Sequence, residues 1–193
     1  TEFSSLHGRF ALLPFAQGER ADTAGLSARE QELLSLVGER PKLLRRIAAS
    51  SSALRSLESL ARRGLVQLSG FTPSDAAHVL GLQDNWSRPA AELAARAAVR
   101  LRDMRLPGAE DVTEFCRTVW SETVSLSARI IVETAVGQPV SGNPLVQVVS
   151  DGKHQLGLAR ISIGPAVPVV AVGGPARVFY EEVGRRLSTD VVF

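Results

Sequence analysis

The sequence predicts a helix-rich α/β protein of the α+β type, and two patterns support this fold class. From Ser27 onward, apolar residues recur three and four positions apart over several stretches, which is typical of amphipathic helices. Near the C-terminus, an apolar run at residues 168–172 leads into a glycine turn, a helical pattern and a second β-branched strand. A length of 193 residues with 45% hydrophobic residues suits one packed domain, or one domain with a small insertion.

Composition limits the classes of protein to which the chain can belong. The net charge of +2 gives no reason to expect nucleic acid or a membrane as the partner of the whole chain. The single cysteine, Cys116, excludes an internal disulfide and a cysteine-based zinc site, and we expect it to be a buried filler rather than a nucleophile. No apolar run is long enough to cross a bilayer, and no signal peptide is visible. We therefore expect a cytoplasmic protein.

The first part of the chain is predicted as an extended segment, residues 1–26, followed by three helices and a strand within residues 27–70. Ser27 caps the first helix and forms a capping box with Glu30. Pro41 opens the second helix, and the serines at 50–52 offer a cap to a third helix that Gly64 ends. A short strand at residues 65–68 completes this part.

Three helices followed by a strand are the pattern of a winged helix-turn-helix. Between Arg29 and Arg63 the sequence has eight basic and four acidic side chains, an excess of +4. The third helix offers few of the Arg, Lys, Asn or Gln side chains with which a DNA-reading helix contacts bases. We therefore interpret residues 27–70 as a winged-helix-like packing module and keep DNA binding as the alternative.

Longer helices are predicted in the remaining part, residues 71–193. Thr72 or Ser74 caps a helix that ends near Gly81. An alanine-rich helix covers residues 89–104, is broken by Pro107-Gly108, and precedes a long helix at residues 111–136. The apolar residues of the alanine-rich helix that we expect to face inward are Leu93, Ala97, Val99 and Leu101.

The segment after the long helix carries mixed signals until the final strand–turn–helix pattern. Residues 143–150 begin like a capped helix at Asn143-Pro144, although their valines favour a strand. Residues 156–163 alternate and predict one strand. A buried apolar strand then reaches Gly173-Gly174, where the backbone can come close to a ligand that a Cβ would keep away.

The Gly173-Gly174 turn predicts a site for a flat ligand. Pro175 lacks the amide hydrogen that a first-turn residue cannot use, so it fits the opening position of the helix, and Ala176 follows it. Nucleotides are the commonest flat ligands at a β–glycine–α turn in α/β proteins. A tight connection between strand and helix, without any ligand, is the alternative.

The string "GFTPSDAAHVLGL" at residues 70–82, together with the C-terminal strand, glycine turn and helix, resembles the hydantoinase/oxoprolinase family. Members carry a Thr-x-[Ser/Thr]-Asp-Ala-x-x-Val-Leu-Gly signature. The matching residues are Thr72, Ser74, Asp75, Ala76, Val79, Leu80 and Gly81. The resemblance covers residues 72–193 and implies the second lobe of an actin-like ATPase fold, with the winged-helix-like module inserted.

In that resemblance, nucleotide lies between two lobes. The residues implied to contact adenosine are Gly173, Gly174, Pro175 and Ala176, and those implied to face the cleft are Thr72, Asp75 and His78. The family opens with a phosphate loop of the type Asp-x-Gly-Gly-Thr-x-x-Asp, which this sequence lacks. Because the chain also begins without methionine and stops on a strand, we expect a fragment that has lost the phosphate-binding lobe.

The resemblance implies that the parent is an ATP-dependent hydrolase that opens a cyclic amide through a phosphorylated intermediate. ATP and Mg would bind in the intact parent, whereas the fragment would hold no nucleotide tightly and would not be active alone. Its expected partners are the phosphate-binding lobe and a small-molecule substrate. The surface that a missing lobe leaves bare can drive self-association into a homo-oligomer.

Histidine and carboxylate side chains are further candidates for chemistry in this sequence. Asp75 and His78 stand three apart on one helix face and could touch one ligand, but two ligands make an incomplete metal site, so no metal is expected. A structural role for Asp75 at the start of its own helix is favoured. His7 and His154 are expected at the surface. The sequence assigns no catalytic residue, and a winged-helix DNA- or protein-binding regulatory module is the second functional interpretation.

Overall fold

A computed structural model describes residues 9–13, 23–38, 40–48, 50–103 and 111–193 of the chain. Helices dominate these residues, and the strands are short, so the mixed α and β class expected from the sequence is confirmed. The chain divides into two compact units. The first contains Thr1–Phe71 and Arg96–Gly108, and the second contains Thr72–Ala95 and Ala109–Phe193.

The first unit has a three-stranded antiparallel sheet and three helices. Its elements in chain order are β1 (Arg9–Leu12), α1 (Ala28–Val37), β2 (Lys42–Leu43), α2 (Leu44–Ile47), α3 (Ser51–Arg62) and β3 (Gln67–Gly70). Strand β1 lies between β2 and β3, and its register pairs Phe10 with Leu43 and with Ser69. The N-terminal segment therefore supplies the middle strand of this sheet.

Local sequence signals explain where the helices of the first unit begin. The Ser27 hydroxyl accepts a hydrogen bond from the Glu30 amide, and the Glu30 carboxylate accepts one from the Ser27 amide, which confirms the predicted capping box. Ser50 caps α3 through the Ala53 amide. Apolar side chains at helical spacing then close one core: Ala11, Leu26, Leu33, Val37, Leu44, Ala48, Ala53, Leu57, Leu60, Leu65 and Val66.

Two predictions for the first unit were wrong in detail. Pro41 does not open a helix, because residues Lys42–Leu43 pair with β1 and leave only the single turn of α2. The strand expected at 65–68 begins at Gln67 and runs to Gly70, since Leu65 and Val66 are buried in the core before the chain reaches the sheet.

The second unit has longer helices and two small sheets. Its elements are α4 (Pro73–Val79), α5 (Arg88–Asp103), α6 (Val112–Val136), α7 (Pro144–Ser150), β4 (Gln155–Leu156), β5 (Ala159–Arg160), β6 (Val169–Val170), α8 (Ala176–Leu187) and β7 (Val191–Val192). The division between the units falls within α5, whose residues from Arg96 onward belong to the first unit. Helices α4, α7 and α8 all pack against α6.

The core of the second unit confirms the long amphipathic helix predicted at residues 111–136. Asp111 caps α6 by accepting a hydrogen bond from the Thr113 amide. Asn143 caps α7, so this segment forms a helix and not the strand that its valines favoured. The buried residues of this core are Ala77, Val124, Ala128, Val132, Val146, Val149, Phe179, Val183 and Leu187.

The buried face of helix α5 agrees with the prediction only in part. Val99 is buried as predicted, together with Ala91 and Ala95, whereas Leu93 is 69% exposed and Ala97 is also exposed. The buried residues are four positions apart, and two of them are alanines, whose side chain is a single methyl group. The helix therefore packs through its small residues, while Leu93 faces solvent.

The C-terminal strands are shorter and more exposed than predicted. Residues 156–163 do not form one strand, because β4 and β5 pair as a hairpin across a turn in which Gly157 has φ of +59°. The strand before the glycine turn is not buried, since Val170 faces solvent and Val172 is 89% exposed. Strand β6 pairs in parallel with β7 alone among the described strands.

Some predictions lie outside the described residues. They are the surface position of His7, the break at Pro107-Gly108 and the inward position of the Leu101 side chain. In the described part of the chain, no helix combines the length and the apolar character that a membrane crossing requires.

Candidate functional site

The carboxyl ends of β6 and β7 meet at one edge of a parallel strand pair. Val169 pairs with Val191 and Val170 with Val192, and α8 connects the two strands. In open α/β sheets, ligands bind outside the carboxyl ends of the strands, where the strand-to-helix turns lie. The predicted turn Gly173-Gly174-Pro175 occupies this position in the second unit.

The glycine turn is open. Gly173 has φ of +119°, a backbone conformation that side chains disfavour, and its carbonyl accepts a hydrogen bond of 3.1 Å from the Ala176 amide. A Cβ built on Gly173 or on Gly174 would meet no atom within 4 Å. Ala176 is buried and anchors the start of the helix, so the backbone of the turn presents a bare surface to solvent.

Pro175 stands one position earlier than predicted. It is the N-cap of α8, and the helix begins at Ala176. Since proline has no side-chain acceptor, α8 has no side-chain cap, in contrast to the capped starts of α3, α4, α6 and α7.

Two side chains that the sequence did not single out lie at the same edge. The Phe193 ring follows β7, and the Arg177 guanidinium lies over it with 4.4 Å between the guanidinium carbon and the ring centroid. Arg177 also forms an exposed ion pair of 3.2 Å with Glu181. The edge therefore combines bare backbone, an aromatic ring and a guanidinium plane, which are groups that stack on a flat ligand.

Thr72 and Asp75 form the start of α4. The Asp75 carboxylate accepts hydrogen bonds from the Thr72 amide at 2.8 Å and from the Thr72 hydroxyl at 2.6 Å, and that hydroxyl accepts one from the Asp75 amide. This is a capping box. The structural role favoured for Asp75 is confirmed, and the cap explains why both residues occur at this spacing.

His78 lies three residues further along α4 and is only 1% exposed. Its ring stacks on Trp86, with 6.3 Å between centroids and 14° between planes. Neither ring nitrogen has a hydrogen-bond partner among the described residues. The Asp75 carboxylate, three residues earlier, accepts its hydrogen bonds from Thr72 in the cap of α4.

Buried polar groups elsewhere in the second unit are structural. Arg186 donates hydrogen bonds to Glu182 on its own helix, to Ser125 on α6 and to the Ser150 carbonyl at the end of α7. Hydrogen bonds from Arg185 first, and then from Arg186, lower the pKa of Glu182 below its ordinary value.

Cys116 is fully buried, and burial raises the pKa of its thiol to about 11, so the expected role as a core residue is confirmed. Within the described ranges, no group of three or more His, Cys, Asp or Glu residues lies close enough to hold a metal ion. His154 is half-buried beside the β4–β5 hairpin.

The chain was compared with protein-family models, with curated proteins and with solved structures, and none of them matches it.

Proposed function

We propose that this chain forms the adenosine-binding side of an ATP site in a cytoplasmic, ATP-dependent hydrolase of the hydantoinase/oxoprolinase type. The observation that carries the proposal is the open Gly173-Gly174 turn at the carboxyl edge of the parallel β6–α8–β7 unit. Half of an actin-like ATPase fold is the architecture that goes with this proposal, and the signature from Thr72 to Gly81 supports it.

Adenosine suits the chemistry of this edge. A purine is flat and needs a surface without side chains on one face, and the backbone of Gly173 and Gly174 offers such a surface. The Phe193 ring and the Arg177 guanidinium offer stacking partners beside it. Because the charge of Arg177 is met by Glu181, this edge binds through stacking and exclusion of water more than through charge.

Phosphate transfer would need groups that this chain does not offer. The sequence has no Asp-x-Gly-Gly-Thr loop, and no cluster of carboxylates for Mg lies in the described ranges. In the proposal, a partner lobe holds the phosphates and Mg, and the assembled enzyme opens a cyclic amide. The isolated chain then binds adenosine weakly and does not hydrolyse ATP.

The test is a titration of the chain with adenosine and ADP, followed by backbone amide NMR signals. We expect shifts at residues 172–174, 176, 177 and 193 that saturate at millimolar ligand. Gly174→Ala places a methyl group in the open space of the turn without a positive φ, so it should keep the thermal stability and abolish these shifts.

Leu158→Ala is the matched control, since Leu158 is a fully exposed apolar side chain on the β4–β5 turn. This variant should bind adenosine as the parent chain does. Shifts that persist in Gly174→Ala, or that map to other residues, would show that the glycine turn is not the adenosine site.

A second candidate function, nucleic-acid binding by the first unit, is favoured by one observation. Arg45 and Arg46 on α2 and Arg55 on α3 are exposed, and none forms an ion pair within the described part of the chain. Anisotropy of a labelled DNA duplex tests this function. The double variant R45Q/R46Q should lose binding and flatten its salt dependence, whereas R117Q/R129Q removes the same charge and should not.

A further inference from the structure

Cavities of about 510, 570 and 460 Å³ lie in the described part of the second unit, and of these three only the last contains a buried side chain whose polar atoms have no hydrogen-bond partner. It lies between the end of α4 and the start of α5 and has a volume of about 460 Å³. Its lining residues are His78, Gly81, Leu82, Gln83, Asp84, Trp86 and Arg88. All of them belong to one short stretch of the second unit.

His78 points to a ligand in this cavity. A neutral imidazole carries one N–H donor and one lone pair, and neither finds a partner in the described protein. A buried polar atom without a partner has lost its hydrogen bonds to water and gained none in return, which is unfavourable. Since the ring lines the cavity, a polar group bound there can meet one of these nitrogens.

Trp86 gives the cavity an aromatic wall. Its indole is 72% exposed and nearly parallel to the His78 ring. Tryptophan is the ring that attracts cations most strongly, through the negative face of its π system.

The charges of the cavity are unbalanced. The Arg88 guanidinium donates to the Val79 carbonyl at 3.1 Å and pairs with Glu92 at 3.3 Å, so its charge is met. Asp84 forms no ion pair with any described residue. The remaining charge on the lining is therefore negative, and it favours a cation over an anion.

We propose that this cavity binds a small organic ammonium ion. An ammonium N–H donates to the free lone pair of His78, the alkyl part lies on the Trp86 ring, and the Asp84 carboxylate balances the charge. His78 and Asp84 are too few donors for a metal, whereas an ammonium ion needs no more than these contacts. This inference does not rest on the proposed nucleotide site.

The experiment follows the two indole N–H signals of the chain by NMR, with Trp86 assigned from a Trp86→Phe variant. Methylammonium should shift the Trp86 signal in a saturable way, and acetate at the same ionic strength should not. Tetramethylammonium, which has no N–H for His78, should bind at least three-fold more weakly than methylammonium.

Asp84→Asn should weaken methylammonium binding at least ten-fold, and Asp151→Asn, which removes another exposed carboxylate at the end of α7, should leave it unchanged. His78→Leu should abolish the preference for methylammonium over tetramethylammonium. If His78→Leu does not fold, Asp84→Asn alone decides. An equal response to acetate, no saturable shift, or wild-type affinity in Asp84→Asn would overturn the proposal.

Discussion

Arg186 is a charged side chain in the core of the second unit, and its partners explain why it can be buried there. It bonds to Glu182 at 3.0 Å, to the Ser125 hydroxyl at 2.8 Å and to the Ser150 carbonyl at 2.6 Å. These partners lie on α8, on α6 and at the end of α7. One guanidinium therefore ties three helices together, with its planar fork matched to several acceptors.

Glu182 should make the stability of the second unit depend on pH. Its folded-state pKa lies below the ordinary value of 4.5, chiefly because Arg185 donates hydrogen bonds to it and Arg186 adds another. A lowered pKa means that the ionised form stabilises the fold above pH 4.5, and that this contribution is lost as the pH falls through the folded-state pKa. Glu182→Gln should cost about 1–3 kcal/mol at pH 7.

Urea unfolding of Glu182→Gln and the parent chain at pH 7, 5, 4 and 3 measures this effect. The two stabilities should converge at the lowest pH. Glu181→Gln is the matched control, because its partner Arg177 is exposed and such pairs contribute about 0–1 kcal/mol. A stability difference that stays constant from pH 7 to pH 3 would contradict the role of the ionised carboxylate.

At this scale, the sequence predicts residues whose partners are close along the chain. The capping boxes of Ser27 with Glu30 and of Thr72 with Asp75 were predictable, because a cap and its partner are three residues apart. The unpartnered burial of His78 was not predictable, since it depends on the fold around α4. Phe193 and Arg177 were missed for the same reason: parallel pairing of β6 and β7 brings them together.

The connection of α8 to β7 brings the chain after the helix close to Gly184. A Cβ on Gly184, inside α8, would lie 2.5 Å from the Val191 side chain and 2.9 Å from the Thr189 carbonyl oxygen. In an open helix, alanine is better than glycine by roughly 1 kcal/mol. At Gly184 this contact outweighs the helix preference for alanine, because the strand that follows the helix turns back across this position. The added Cβ therefore lowers the stability of the chain.

Gly184→Ala should therefore destabilise the chain by about 1–3 kcal/mol, as overpacking does. The denaturant midpoint measures it. Gly174→Ala is the matched control, since its added methyl group meets open space and should change the midpoint little. A Gly184→Ala variant that is more stable than the parent would show that α8 and β7 do not pack this closely.

Elements were predictable where pattern and caps agreed. The Asp111 cap and a sustained apolar stripe allowed α6 to be predicted. In α7, the helix start at Asn143-Pro144 had more effect than the preference of the valines for a strand. Alternation alone failed at residues 156–163, because Gly157 turns the chain after two residues. The exposure of β6 was not predicted, because an apolar run usually indicates a buried strand. The burial of a strand also depends on how many strands pair with it, which only the sheet shows.

The described residues form two hydrophobic cores that share no residue. The core that includes Leu57 lies in the first unit, and the core that includes Leu187 lies in the second. The sequence predicts a domain boundary between residues 70 and 71, from the winged-helix-like pattern of residues 27–70 and the family resemblance of the residues that follow. In the structure, one division between the two units falls between Phe71 and Thr72. The sequence did not predict that residues 96–103 would be grouped with the first unit, because that grouping depends on contacts between residues distant along the chain.

Two separate cores should unfold as two transitions. Leu57 and Leu187 are both fully buried leucines, and replacing such a leucine by alanine costs about 2–5 kcal/mol. The two tryptophans, Trp86 and Trp120, both lie in the second unit, so their fluorescence reports on that unit alone. Leu57→Ala should lower the urea midpoint seen by far-ultraviolet circular dichroism and leave the fluorescence midpoint in place, while Leu187→Ala should lower the fluorescence midpoint. If Leu57→Ala moves the fluorescence midpoint as far as Leu187→Ala does, the two units unfold together, and each core depends on the other for its stability.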